Sequence, residues 1–388
     1  IAGATNPAPD YNTFTAWNPA VASDLTATTT KVFAHGGKNG TWTDNAAVTG
    51  YVSNLAGAAS TGTGTAVHVT PTQILIKGPL TGTLSNGNTV CLGQAPPCTT
   101  YVVLRDSGFP AIAVAEAYND WPATGLNDNV TVSGWTANPY RYPVLRPAPG
   151  HGYSTGFKSG FYLKPTATNL NIIKVLSDYT HIEGLELDGS NITTAIPGGA
   201  SAAHSNFISY WKGNIIHDTG GGNNGLTLGD GKTQYAWNNF IINNGAPVAR
   251  GIQSGGTGNT IYLFANSVTA QNIGIDAVAG SGTIIARDNA SLGNTADYSG
   301  TFDTAGDSNA SSDTTAPGTN PKTGIPALSA FTNVTAGSED LHLKSGSPLI
   351  GAGVDLSANQ NLPVTDDIDG IPRATPYDIG ADRIDNIW

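Results

Sequence analysis

The chain contains no methionine, only two cysteines and few charged residues, which make up 12% of its 388. Long amphipathic helices draw on Glu, Lys, Leu and Arg, and the shortage of these argues against a helical protein. No run of about 18 apolar residues occurs, so nothing in the sequence reads as a membrane span. Basic side chains are scarce as well, with 17 Lys and Arg against 28 Asp and Glu and a net charge of -11. Such a field repels phosphate backbones and anionic headgroups, which disfavours nucleic acid as a partner. It also disfavours acidic polysaccharide unless Ca²⁺ or a local basic strip intervenes. No phosphate-cradling loop, Zn-type Cys/His set or nucleophile elbow occurs. Lack of Met removes the side chain most easily oxidised to a sulfoxide. Together with a start at Ile1, this leads to the expectation of a secreted, extracellular or cell-surface protein whose leader has been removed.

What is abundant is Gly, at 49 residues, accompanied by Asn, Thr, Ser and Ala, a mixture that favours turns and strands. Cys91 and Cys98 occupy CLGQAPPC, where paired prolines turn the chain so that the sulfurs can meet. A disulfide is expected there, in keeping with an oxidising compartment.

Internal repetition decides the expected fold. Thr233 to Asn239, Thr260 to Asn266 and Thr283 to Asn289 each open on Thr, continue as a strand-like run and close on Asn. Their starts are 27 and 23 residues apart. Between them, Gly-led strands begin at Gly225, Gly251 and Gly274, spaced by 26 and 23. Gly213 to Asp218 continues the series, and Glu183 to Asp188 is a more divergent copy. A period of this length with several short strands and no helical stretch marks a β-solenoid, so an all-β, right-handed parallel β-helix is expected. Asn214, Asn239, Asn266 and Asn289 then read as a structural ladder, stacked amides satisfying the backbone of a tight bend and one another. Residues 1–150 are expected to form an N-terminal cap with a β-hairpin insert at about 57–112, because alternation and Asn-Gly turns mark QILIKGPLTGTLSNGNTVCLG. Residues 151–300 should form the coils, and 301–388 a loop and a C-terminal segment closing the other end.

That C-terminal part carries a family likeness. DLHLKSGSPLIGAGV at 340–354, DDIDGIPR at 366–373 and YDIGAD at 377–382 resemble the closing segment of secreted right-handed parallel β-helix repeat proteins of the pectin-lyase-like superfamily. YTHIEGLELDGSN and WKGNIIHDTGGG are similar to the strand-turn-strand units of such proteins, and the likeness covers about residues 120–388. It implies the fold and leaves the activity open. The superfamily holds polysaccharide lyases, hydrolases and epimerases as well as adhesins, phage spikes and surface proteins without chemistry.

The chemistry expected of such members is thinly represented. Lyases of this fold resemble one another in setting Arg or Lys bases beside Ca²⁺-binding carboxylates. Here Lys212, Lys232, Arg250 and Arg287 fall at different phases of the coil. Hydrolases need an acid and a base on successive coils, yet the equivalent outward row is Thr227, Gln253 and Asp276. A second carboxylate would have to come from Asp218, Asp230 or Asp288. His217 and Asp218 could form a general-base pair only if a turn brings these sequence neighbours to one side. Asp366, Asp367 and Asp369 could ligate Ca²⁺, although a turn at Asp369-Gly370 with an ion pair to Arg373 explains them as well. Trp121, Trp135, Trp211 and Trp237 could stack on sugars, but Trp237 and Phe264 share one place in successive coils, where core stacking is expected. The resulting expectation is a structural or adhesive protein, self-associating into a filament or surface assembly, with glycans as a further partner class and no cofactor beyond Ca²⁺. The alternatives are a polysaccharide-active enzyme using Asp230, Asp276, His217 and Asp218, and a phage receptor-binding spike.

Overall fold

The computed structural model describes residues 11–26, 30–120, 124–154, 156–166, 171–192, 201–203, 207–219, 223–229, 232–242, 250–278 and 282–384. It is a parallel β-helix of about 6 turns, with stacked strands about 26 residues apart. Three sheets of parallel strands form its faces. The first face includes Thr180–Glu183, Ser209–Lys212, Thr233–Trp237, Thr260–Phe264 and Thr283–Arg287, and Thr233, Thr260 and Thr283 lie side by side. The second includes Glu186–Asp188, Ile215–His217, Phe240–Ile242 and Ser267–Thr269. Leu226–Leu228, Arg250–Ser254 and Ile273–Ala277 belong to the third, with Thr227, Gln253 and Asp276 in one row. Inside, Ile182, Trp211, Ala236 and Leu263 are neighbours in register and fully buried. The small Ala236 accommodates the indole beside it, which is how alternating volumes keep a stacked core dense.

The corner between the first and second faces is only two residues long. From Gly184 onward its first residue is left-handed, with φ of 63° at Gly184 and Gly213, 55° at Asn238, 52° at Ala265, 53° at Asp288 and 50° at Ser308, whereas the preceding coil joins the two faces by the longer stretch 148–161. Its second residue is Leu185 in the first of these corners and the ladder Asn in the others. Asn214, Asn239, Asn266 and Asn289 each donate from Nδ2 to the next ladder Oδ1 at 2.9–3.0 Å, and Asn309 extends the column by one coil. Each Oδ1 also accepts a backbone N–H from the coil before, and Leu185 N starts the series at 3.1 Å. The amides therefore satisfy the polar groups that so sharp a bend would strand.

At the N-terminal end a helix, Phe14–Val21, plugs the solenoid. Thr13 caps it, Asp128 accepts the N–H of Phe14 at 2.6 Å, and Phe14, Trp17 and Val21 join the solenoid core. In chain order the helix is followed, before the first coil, by an antiparallel barrel of β1 (Lys31–Asn39), β2 (Ala46–Tyr51), β3 (Ser60–Val69), β4 (Gln73–Gly82), β5 (Thr89–Leu92) and β6 (Tyr101–Leu104). It closes because β1 pairs with β4 on one edge and with β6 on the other. The barrel thus takes in Lys31–Asn39 and Ala46–Tyr51 as well as the 57–112 stretch. It has its own core of Phe33, Val48, Ile74, Ile76, Val90 and Leu104. Cys91 and Cys98 form the disulfide, with Cα atoms 6.0 Å apart.

The C-terminal segment takes a route that its expected role as an end closure did not include. Residues 307–322 add a partial coil at the far end, but the chain then runs back along the second face. Leu341, Leu343, Leu349 and Ile379 bury Ile215, Phe240 and Ile242, a second apolar layer outside the solenoid. Ile215, Phe240, Ile242, Ala290 and Ala310 stand outward on that face, and a covering segment is what keeps them from water. No helix among the described residues is long and apolar enough to cross a membrane.

Candidate functional site

Where the returning segment meets the edge of the first face, a cleft of about 320 Å³ opens, lined by Arg146, Tyr153, Glu183, Lys212, Asp366 and Asp369 among others. Parallel register builds its floor. Glu116 lies beside Arg146 and Glu183 beside Lys212, so opposite charges alternate along the row. The pairs close at 2.6 Å for Arg146 with Glu116 and 2.5 Å for Lys212 with Asp366. Burial acts to raise the pKa of Glu183, but His181 at 3.0 Å, aided by Lys212 and Arg146, holds it below the ordinary carboxylate value.

Beside the cleft, the second face carries a buried ion network. His217 has Glu186 3.0 Å from Nε2 and Asp218 2.9 Å from Nδ1, and the ring of Phe157 stacks on it at 4.5 Å. Asp218 meets its sequence neighbour because it is left-handed, at φ 57°, which supplies the turn that the pair needs. Burial opposes the imidazolium, yet Asp218 and Glu186 outweigh it and raise the pKa of His217 to about 9. Asp188 is held by Lys158 at 3.1 Å and Lys164 at 3.0 Å. Burial would lift its pKa, but hydrogen bonds from Ser190 and Lys164 and the nearby charge of His217 take it well below the ordinary value. Three carboxylates thus face three cations, and His217 is a fixed imidazolium with both nitrogens occupied.

The other sequence-derived candidates separate. Asp276 is ion-paired with Arg250 and nearly buried. Asp230 and Trp121 lie outside the described residues. Asp288 occupies a corner, where its carboxylate accepts Val354 N at 3.0 Å and burial raises its pKa to about 8. Asp366, Asp367 and Asp369 do not converge. Asp366 pairs with Lys212, Asp367 Oδ1 closes a turn by accepting the N–H groups of Asp369 and Ile371, and Asp369 lies 3.1 Å from His342. Arg373 donates to the carbonyls of Asp366, Asp378, Gly380 and Ala381 and to Asn238 Oδ1, tying the segment to a corner rather than pairing with a carboxylate. Lys232 pairs with Asp178 at 2.6 Å, and Arg287 donates to Ala305 O.

Trp211 lies in the solenoid core and Trp135 packs on Trp17. Trp237 and Phe264 point outward but are covered by Leu356, Leu362 and Val364. Sequence reasoning passed over an aromatic row on the first face. Tyr142, His181, Tyr210, Tyr235 and Tyr262 stack with centroids 4.0, 4.2, 4.7 and 5.3 Å apart. The signal was available, since Tyr235 and Tyr262 hold the same place in the aligned Thr-to-Asn units. With ring faces turned to one another, only edges and hydroxyls of the inner rings are left for a ligand. Arg146, Tyr153, Glu183, Lys158, Glu186 and Asp188 were missed too, because nothing in their spacing shows what covers them.

No protein family, curated protein or solved structure matches the chain. The site's own chemistry is a shallow, mixed-charge cleft beside a hydroxyl-edged aromatic row, suited to hydrogen bonding with a neutral polar surface.

Proposed function

We propose that this chain is an extracellular structural or adhesive β-helix protein, a surface, fibre or filament subunit that binds through its flank without catalysis. The observation that carries the reading is the pairing of ionisable groups along the cleft and on the other solenoid faces, the cluster around His342 apart. Glu116–Arg146, Lys212–Asp366, Lys232–Asp178 and Arg250–Asp276 are ion pairs, and His217 is bracketed. Acid–base catalysis needs a group free to exchange a proton with substrate. The charge-poor composition and the likeness to secreted β-helix repeat proteins support the same view. Purified protein incubated with a panel of pectins, alginates and neutral glycans should release no reducing ends and no ultraviolet-absorbing unsaturated product, and release of either overturns the proposal. Electron microscopy of the same material should show filaments or lattices.

One observation favours a second reading, a polysaccharide-active enzyme. Glu183 and Asp366 line the same cleft as Tyr153, so a ligand that displaces Lys212 would expose a pair of carboxylates. If turnover is found, E183Q and D366N should each abolish it, and retained activity in both excludes this site.

A further inference from the structure

Beyond the paired row, a second titratable cluster sits where the returning segment crosses the second face. His342 Nδ1 lies 2.5 Å from Asp340 Oδ1, and His342 Nε2 lies 3.1 Å from Asp369 Oδ2. One donor atom from each of His342, Asp369 and Asp382 falls within 4.8 Å of the others. The imidazole plane is fixed by Tyr153, stacked at 6.0 Å, and by Phe240, edge-on at 5.1 Å. Asp382 is only 5% exposed, and its one hydrogen bond among the described residues comes from Leu343 N at 2.7 Å.

The cluster around His217 also gathers carboxylates about an imidazole, and the difference between the two is informative. There, Lys158 and Lys164 supply the positive charge. Around His342, the imidazole is the ion-pair partner of Asp340 and Asp369, Asp382 has no ion-pair partner among the described residues, and the guanidinium of Arg373, which acts on Asp382 through space, is engaged by backbone carbonyls. Buried or half-buried anions in such excess call for a cation. Asp340 accepting from Nδ1–H would leave the lone pair on Nε2, on the side of Asp369 and Asp382, the arrangement in which an outer carboxylate orients a ligating histidine.

We propose that His342 Nε2, Asp369 and Asp382 bind a divalent transition-metal cation, with Asp340 as the residue that positions the imidazole. One imidazole nitrogen with two carboxylate oxygens is a borderline donor set that suits Zn²⁺ better than Ca²⁺, which takes six or more oxygens. The cation displaces the proton shared between His342 and Asp369 and lies at the rim of the cleft, which Asp369 also lines. This site stands whether or not the flank binds glycan.

The test is Zn²⁺ titration of chelator-stripped full chain by calorimetry, with Ca²⁺ in parallel and bound metal counted by mass spectrometry. One Zn²⁺ per chain is expected, lost in H342A and in D382N, whereas D340N keeps the donors and weakens binding by about 10–100-fold. Zn²⁺ should also raise the thermal unfolding midpoint of the stripped wild-type chain, since a ligand that binds only the folded state stabilises it. An unchanged wild-type midpoint with no calorimetric signal overturns the proposal without recourse to variants. Tighter Ca²⁺ binding, or stoichiometric Zn²⁺ retained in folded H342A and D382N, overturns it as well.

Discussion

A single ladder residue holds four polar groups at once. Asn266 Nδ2 donates to Ala236 O and Asn289 Oδ1, while its Oδ1 accepts from the backbone N and Nδ2 of Asn239. N266A removes all four bonds in a fully buried place and leaves the N–H of Asn239 without its acceptor, and with about 1–3 kcal/mol for a buried orphan the expected loss is of that order, read from denaturant unfolding. Two other buried groups set the pH dependence. His217 has its pKa raised to about 9, so its ion network contributes fully near pH ~6.5 and is lost as pH climbs from there through about 9. Asp288, raised to about 8, acts with the same sign: the folded state holds a proton that the unfolded chain releases near pH ~4. Unfolding free energy should therefore fall from neutral toward alkaline pH. D288N removes one contribution, and its stability relative to wild type should grow by up to about 1.4 kcal/mol per pH unit between pH ~4 and ~8. Parallel curves for the two proteins would contradict this.

Among the elements, the returning segment and the barrel are separable by experiment. Arg373 joins Asp366, Asp378, Gly380 and Ala381 to the corner at Asn238. R373M removes the guanidinium donor from the carbonyls of Asp366, Asp378 and Gly380, while Ala381 O keeps Ile368 N, at an expected cost of about 3 kcal/mol. Limited proteolysis should then cut within 354–384 before it cuts the coils, and protection of that stretch in the variant would show that the apolar layer alone holds it. In the barrel, the Cys91–Cys98 bridge spans a sequence separation of 7, for which the loop-entropy relation gives about 2 kcal/mol. Reduction should lower the barrel's unfolding transition by that order and affect the solenoid's far less, because the barrel has its own core and only Val67, with Val32 and Leu75 beside it, joins that of the solenoid. The pattern of Thr, strand and Asn made the coils legible in the sequence. The barrel was only half legible, since KVFAHGGKN breaks alternation with two glycines and its pairing partners lie far along the chain.

For the whole molecule, the plug and barrel at one end bear on how copies could associate. A bare solenoid can stack coil on coil without closure, but here the first coil is covered by the helix Phe14–Val21. Assembly is therefore expected to join the barrel of one copy to the far end or flank of the next. Sedimentation should give a mass that rises with concentration, and a strictly monomeric mass at high concentration would count against the filament reading.

The sequence alone determined the period, the solenoid, the Asn column and the disulfide loop, because groups that stack on their own kind, or pair within one short loop, write their spacing directly into the chain. Tertiary structure alone decided the closure of the barrel, the path of the returning segment and the partners of each charge. Lys212 meets Asp366 across 154 residues and Asn238 meets Arg373 across 135. No periodicity links such residues, and only burial against a common surface brings them together.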